Sequence, residues 1–142
     1  MKRAYLVYDA ADAKVNMAFI NQLVVSAKKQ MIDLQLVLLN DFSVPELVEH
    51  CQDACFVFYR ARNCDYVTSL EQANIPVVNS SHVNALANNK YMTLQFARTL
   101  GIPTVPLYQQ ASDYEYPLVF KTIDGHGGSE VMLCQDEQEL NA

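Results

Sequence analysis

The sequence predicts an α/β protein in which a small parallel sheet covered by helices is followed by a lobe with an antiparallel hairpin. Over residues 1–80, short apolar β-like runs alternate with helical runs, the pattern of parallel strands joined by crossover helices. These apolar runs are nearly continuous, so both faces of the sheet should be covered. All four glycines lie between Gly101 and Gly128, and three of them fall in one turn between two further β-like runs.

Four strands are predicted from apolar runs bounded by polar residues or turn formers. After the first run, apolar residues recur every fourth position from Val15 to Ala27, which predicts a helix. Pro45 suits the first turn of a second helix, where a missing N–H costs nothing. The predicted strands cover residues 4–8, 34–39, 55–59 and 76–78, and the predicted helices cover residues 13–30, 43–51 and 65–73.

The second lobe is predicted to open with a helix that follows a serine cap at residues 80–81 and ends at Gly101. Lys90 falls on the apolar face of this helix, either as a side chain at the edge of the core or as one aimed into a cleft. A break at Asn88 and Asn89 would instead recap the helix and bring Lys90 to a helix start.

Two further apolar runs, residues 116–124 and 130–135, predict an antiparallel hairpin around the glycine turn. Pro103 and Pro106 confine the segment before the hairpin to an edge strand or an extended linker. Residues 136–142 read as the first turns of another helix. The sequence therefore predicts two domains, residues 1–80 and residues 81–142.

Composition narrows the class of protein. The 142 residues suffice for one domain or two small lobes, and 51% hydrophobic content is enough for a core. The net charge is −6 and the basic residues are scattered, which argues against nucleic acid as a partner. The first apolar run ends at Asp9, far short of a signal peptide or a membrane span, so we expect a cytoplasmic protein without a membrane partner.

The cysteines and histidines give no metal signature. There is no C-x-x-C pair, and Cys55 lies within an apolar run, where a small buried thiol is the ordinary interpretation. His50, Cys51 and Cys55 fall short of the four spaced ligands of a structural zinc site. We expect reduced, structural thiols and no metal ligands in this chain.

Arg60 is the first candidate for ligand binding. Ligands of parallel α/β sheets bind beyond the carboxyl ends of the strands, and Arg60 directly follows the third predicted strand. A guanidinium at this edge can hold a carboxylate or a phosphate. The alternative is a solvated loop arginine.

Lys121 and the glycine turn form the second candidate. The absence of glycine before Gly101 excludes both a G-x-G-x-x-G turn and a G-x-x-x-x-G-K-[ST] loop in the parallel sheet. A lysine on a strand before a glycine-rich turn is another way to hold polyphosphate, because glycine allows the backbone N–H groups to approach an anion. The alternative is a plain hairpin with Lys121 in solvent.

Two stretches together, VVNSSHVNALANNKYMTLQFARTLGIPTVP (residues 77–106) and PLVFKTIDGHGGSEV (residues 117–131), carry a family resemblance. The sequence resembles the ATP-grasp carboxylate-amine ligases, and within them the branch of the ribosomal-protein glutamate ligases and glutathione synthetases. Residues 1–80 resemble the small parallel domain that precedes the ATP-grasp module. Residues 81–142 resemble the incomplete start of that module.

The resemblance implies an ATP site. It implies that Lys90 contacts the nucleotide, that Lys121 contacts its phosphates and that a loop closes over the β- and γ-phosphates. Arg60 is a candidate for orienting the acceptor carboxylate. The implied loop residues are Gly125, His126, Gly127, Gly128 and Ser129.

The same resemblance implies residues that this sequence does not contain. The adenine-binding hinge and the Mg²⁺ ligands of such ligases lie further downstream, so we expect an N-terminal fragment of a ligase that is inactive by itself. Mg²⁺ on the phosphates would promote formation of an acyl phosphate, which an amine then attacks. The sequence assigns no catalytic residue and does not identify the two substrates.

Two other functions remain open at this point. One is a non-catalytic module that binds a small molecule or a nucleotide, or that regulates, on the same parallel sheet. The other is an interaction domain whose exposed hairpin edge pairs with another chain, for example as a homodimer.

Overall fold

The computed structural model describes residues 1–124 and 130–141. The chain forms two compact units, Met1–Ala85 and Leu86–Ala142, here called unit 1 and unit 2. The domain boundary that the sequence suggested after residue 80 remains a prediction. No helix within the described ranges is long and apolar enough to cross a membrane.

Unit 1 is built on a four-stranded parallel sheet in the order β2-β1-β3-β4. In the register, Ala4 of β1 lies opposite Leu34 of β2 on one side and Phe56 of β3 on the other. The parallel α/β architecture predicted from the sequence is confirmed. The strands are β1 (Lys2–Tyr8), β2 (Ile32–Leu38), β3 (Phe56–Tyr59) and β4 (Val77–Val78).

Helices connect these strands, but the first connection differs from the prediction of one helix over residues 13–30. It consists of two helices separated by Asn16, whose side-chain amide donates to the carbonyl of Asp12 at 2.7 Å. An asparagine side chain that bonds the backbone carbonyl four residues earlier in this way competes with helix propagation. The helices of unit 1 are α1 (Ala10–Val15), α2 (Met17–Lys29), α3 (Val44–His50), α4 (Cys64–Gln72) and α5 (Ser81–Ala87), the last of which ends in unit 2.

Both faces of the sheet are buried, as the continuous apolar strands predict. Alternate residues of β1 point to opposite faces, so Tyr5 and Val7 enter one core cluster while Leu6 and Tyr8 enter the other. The first cluster includes Leu47 of α3, and the second includes Ile20 of α2.

Unit 2 combines a helix with a two-stranded antiparallel sheet. Helix α6 (Lys90–Thr99) is separated from α5 by Asn88 and Asn89, and strand β5 (Leu118–Lys121) pairs with strand β6 (Val131–Cys134). Residues 102–109 have no regular secondary structure, in keeping with the linker alternative. A short final helix, α7 (Glu137–Leu140), follows β6, and the side chain of Asp136 caps its start.

Candidate functional site

The carboxyl edge of the parallel sheet has a switch point between β1 and β3. The chain passes from β1 to β2 on one side and then crosses to β3 on the other side of β1. Connections that depart in opposite directions leave a crevice at the carboxyl ends of the two strands, where α/β proteins bind ligands. Tyr8 ends β1 and Arg60 follows β3, so both residues lie at this switch point.

Arg60 is fixed to the sheet by its backbone and by its side chain. Its N–H donates to the carbonyl of Val7 at 2.8 Å, and its Nε donates to the hydroxyl of Tyr8 at 3.3 Å. The guanidinium carbon lies 5.8 Å from the ring centroids of Tyr8, Phe19 and Phe58. Contacts with three aromatic rings and a hydroxyl hold a guanidinium in one orientation. Arg60 itself remains exposed, so its oriented guanidinium is accessible from solvent.

The sequence did not reveal the three rings around Arg60. The periodicity from Val15 to Ala27 places Phe19 only on the apolar face of a predicted helix, and Tyr8 is only the last residue of a predicted strand. Their approach to Arg60 arises from the parallel pairing of β1 with β3 and from the return of α2 across the sheet. The local sequence signal for this aromatic surround is limited to the aromatic residues near the ends of β1 and β3.

Other polar residues at this edge are engaged with one another. Arg62 forms an ion pair with Asp12, with 3.6 Å between nitrogen and oxygen. Asn40, two residues after β2, accepts a hydrogen bond from the N–H of Ala10 at 2.8 Å. Asn40 therefore ties the turn after β2 to the start of α1.

Lys90 is the first residue of α6. Asn89 caps this helix by accepting from the N–H of Met92 at 2.9 Å, so the break and recapping that the sequence allowed are present. The N–H of Lys90 donates to the carbonyl of Ile123 at 2.9 Å. This bond joins the start of α6 to the segment just after β5, two residues beyond Lys121.

Lys121 ends β5 opposite Val131 of β6. Strand alternation puts Lys121 on the same hairpin face as Val119 and Leu133, and all three side chains are exposed. The five predicted loop residues, Gly125, His126, Gly127, Gly128 and Ser129, lie outside the described residues. Their role stays a prediction.

Buried ionisable groups in unit 1 are structural. Burial raises the pKa of the Cys51 thiol to about 12, and burial likewise raises the pKa of Tyr59, whose hydroxyl donates to the carbonyl of Asn63 at 2.7 Å. All four cysteines are free thiols. Over residues 1–124 and 130–141, no group of three or more His, Cys, Asp or Glu side chains could hold a metal ion.

Comparison with known sequences gives distant relatives. No protein-family model matches the sequence. The chain is 26% identical over 141 residues to the uncharacterized protein MG011 homolog of Mycoplasma pneumoniae. It is 25% identical over 142 residues to the uncharacterized protein MG011 of Mycoplasma genitalium. Each alignment covers 98% of this chain and 49% of the relative, so the chain spans about half the length of these relatives.

Comparison with solved structures identifies the fold. D-alanine–D-alanine ligase from Bacillus anthracis is similar over 99% of this chain and 52% of its own, with a TM-score of 0.76 and 18% identity. N5-carboxyaminoimidazole ribonucleotide synthetase from Thermotoga maritima is similar over 100% of this chain and 44% of its own, with a TM-score of 0.75 and 16% identity. Both are ATP-grasp-type ligases. The chain has the fold of about half of such a ligase.

The Bacillus anthracis ligase has also been solved in complex with ATP. That structure is similar to 99% of this chain and to 53% of its own chain, with a TM-score of 0.72 and 19% identity. The fold of this chain therefore occurs in a protein that binds ATP.

Proposed function

We propose that this chain is the N-terminal part of an ATP-dependent carboxylate-amine ligase of the ATP-grasp type, and that unit 2 contributes phosphate contacts to its ATP site. The observation that carries the proposal is the hydrogen bond from the N–H of Lys90 to the carbonyl of Ile123, within a fold shared with ATP-grasp-type ligases. It joins the two lysine-bearing segments of unit 2. The nearest branch would be that of the ribosomal-protein glutamate ligases and glutathione synthetases.

The electrostatics of α6 support an anionic ligand. The N-terminus of a helix carries partial positive charge, which disfavours a lysine at that position. Lys90 is nevertheless the first residue of α6, and the helix bears no acidic residue in its first turn. Phosphate oxygens would interact favourably with both the ammonium and the helix N-terminus, as anions commonly do at helix N-termini.

Lys121 would supply a second positive charge from the end of β5. Its side chain is exposed, and no ion pair links it to a carboxylate among the described residues. Lysine suits a mobile phosphate group, because its ammonium is a compact point charge with three donors on a flexible stem. The neighbouring loop, residues 125–129, would close over the phosphates.

Unit 1 would hold the acceptor. Arg60, at the switch point of the sheet, would orient the acceptor carboxylate that receives the phosphoryl group from ATP. The described residues offer no cluster of ligands that fits Mg²⁺, so any metal would be held by other residues of the parent protein. By itself this chain would bind substrates without completing the reaction.

ATP titration followed by amide NMR tests the proposed role of unit 2. Wild-type chain should show shifts near Lys90 and Lys121, and Lys121→Ala should lower the affinity at least about tenfold, because a hydrogen bond to a charged group contributes about 1.5–3 kcal/mol. Lys28→Ala, at an exposed lysine of α2 in unit 1, is the matched control and should leave the affinity unchanged. Equal affinities for wild type and Lys121→Ala would refute the phosphate role.

A further inference from the structure

We propose that Arg60 binds a planar carboxylate end-on through its two terminal nitrogens, with the ring of Phe19 as the wall beside the apolar part of the ligand. The inference rests on the proposed function only in identifying this carboxylate with the acceptor substrate. The site itself lies wholly within unit 1.

The hydrogen bond to Tyr8 determines which edge of the guanidinium is left for a ligand. A guanidinium can receive a carboxylate either side-on, through Nε and one terminal nitrogen, or end-on, through both terminal nitrogens. Nε of Arg60 already donates to the hydroxyl of Tyr8 at 3.3 Å. Tyr8, which is only 2% exposed, therefore occupies the side-on edge of the guanidinium, and the end-on edge is left for a ligand.

The aromatic rings keep that end-on edge in place before a ligand arrives. Tyr8 is buried, Phe58 is half-buried and Phe19 is 43% exposed, so the three rings enclose Arg60 unequally. The exposed ring of Phe19 belongs to α2 and provides apolar surface next to the charge. An ordered guanidinium loses less side-chain entropy on binding, which favours affinity.

Charge also favours an external anion. Within the described part of the chain, no carboxylate lies within 4.0 Å of the Arg60 side chain, since the two recorded ion pairs are those of Arg3 with Asp53 and of Arg62 with Asp12. Asp12 of α1 is engaged by Arg62. The positive charge of Arg60 is left for a ligand.

The ligand class follows from the geometry. Two parallel N–H donors in one plane match the two oxygens of a carboxylate, and an uncharged amide supplies only one acceptor and no charge. A short aliphatic carboxylate would place its charged group on Arg60 and its chain against Phe19. Inorganic phosphate lacks the apolar part and should bind more weakly.

NMR titration with butyrate at constant ionic strength tests this site without ATP. Butyrate should shift the Nε–H signal of Arg60 and the amides of Tyr8 and Phe19, whereas butyramide should not. Arg60→Lys should weaken butyrate binding about tenfold, because lysine cannot form the paired contact. Arg62→Lys, which retains the charge that pairs with Asp12, is the control and should bind butyrate like the wild type.

Three results would overturn the proposal: no butyrate-specific shifts in unit 1, equal binding of butyrate by Arg60→Lys, or equal binding of phosphate and butyrate. Phe19→Ala should weaken the binding of butyrate more than that of the much smaller probe formate, which depends on Phe19 only through the ordering of Arg60. Lys121→Ala should bind butyrate unchanged. Butyrate binding by Arg60 can therefore be confirmed even if ATP binding in unit 2 is refuted, and ATP binding can be confirmed even if butyrate binding is refuted.

Discussion

The two units of this protein differ in how they bury apolar side chains. In unit 1, the sheet and its helices enclose two clusters that include fully buried residues such as Leu6, Leu47 and Leu70. In unit 2, Cys134 is the one buried apolar residue among those described. Many of its other large apolar side chains are exposed, for example Leu133 at 59% and Val105 at 63%, and Leu94 and Leu118 are half-buried.

The two units therefore draw their stability from different sources. Burial of apolar surface contributes about 25 cal/mol per Å², and unit 1 has ample buried surface. An isolated two-stranded hairpin is marginally stable in water, and β5 and β6 form such a hairpin. We expect unit 1 to be stable by its own packing, and unit 2 to depend much more on bound ligands or on other parts of the parent protein.

Truncation of a leucine in each unit should give the largest contrast. Leu47→Ala removes a fully buried side chain from unit 1 and should lower the free energy of unfolding by about 2–5 kcal/mol, measured by urea denaturation. Leu133→Ala in unit 2 is the matched substitution and should change it by no more than about 0.5 kcal/mol. Similar losses in the two variants would contradict the proposed difference between the units.

A buried amide at the end of unit 1 should have the next largest effect. Asn84 of α5 is 7% exposed and donates to the carbonyl of Ala61 at 2.9 Å. Asn84→Ala would leave that carbonyl without this donor, at a cost of about 1–3 kcal/mol in urea denaturation. His82→Ala, an exposed neighbour on the same helix, should be nearly neutral. A neutral Asn84→Ala would mean that α5 is not integrated into unit 1.

A surface cap should give the smallest effect and should depend on pH. Hydrogen bonds from Ser43, through its hydroxyl and then its N–H at 2.8 Å, hold the pKa of Glu46 below its ordinary value. A lowered folded-state pKa stabilises the protein above the unfolded-state pKa, and this contribution is lost as the pH falls through the folded-state value. Glu46→Gln should therefore lower stability slightly at neutral pH and make no difference in strong acid, as thermal denaturation at several pH values can show. A difference in stability between wild type and Glu46→Gln that stays constant across pH would show that the ionised Glu46 carboxylate does not stabilise the helix start.

Much of this fold could be predicted because the local sequence patterns of unit 1 agree with the elements that they form. The apolar run at residues 4–8 becomes the buried part of β1, and the run at residues 55–59 becomes β3 with one residue fewer. The prediction of a single helix over residues 13–30 was wrong, because the structure has two helices there. The apolar periodicity continues across the break at Asn16 and so does not reveal it. The side-chain bond that separates α1 from α2 leaves no trace in that periodicity.

The candidate site was less predictable than the fold. Arg60 could be assigned to the sheet edge from its position after an apolar run. Its orientation could not, since Phe19 lies 41 positions away in the sequence and meets Arg60 only through the packing of α2 on the sheet. Likewise, the apolar pattern around Lys90 predicts a helix. It does not predict the hydrogen bond from Lys90 to Ile123, which depends on how β5 returns to α6.

Amide hydrogen exchange with and without ATP distinguishes a unit 2 that binds the nucleotide from one that does not. Without ATP, the amides of α6 and β5 should exchange much faster than those of β1, because protection follows local stability. With ATP at a concentration near the wild-type Kd, protection should rise at residues 90–93, 118–124 and 130–134 and remain unchanged in unit 1, and Lys121→Ala should remove most of that rise. Unchanged exchange in unit 2 at saturating ATP, or protection that rises in unit 1 alone, would refute the proposed phosphate contacts of unit 2.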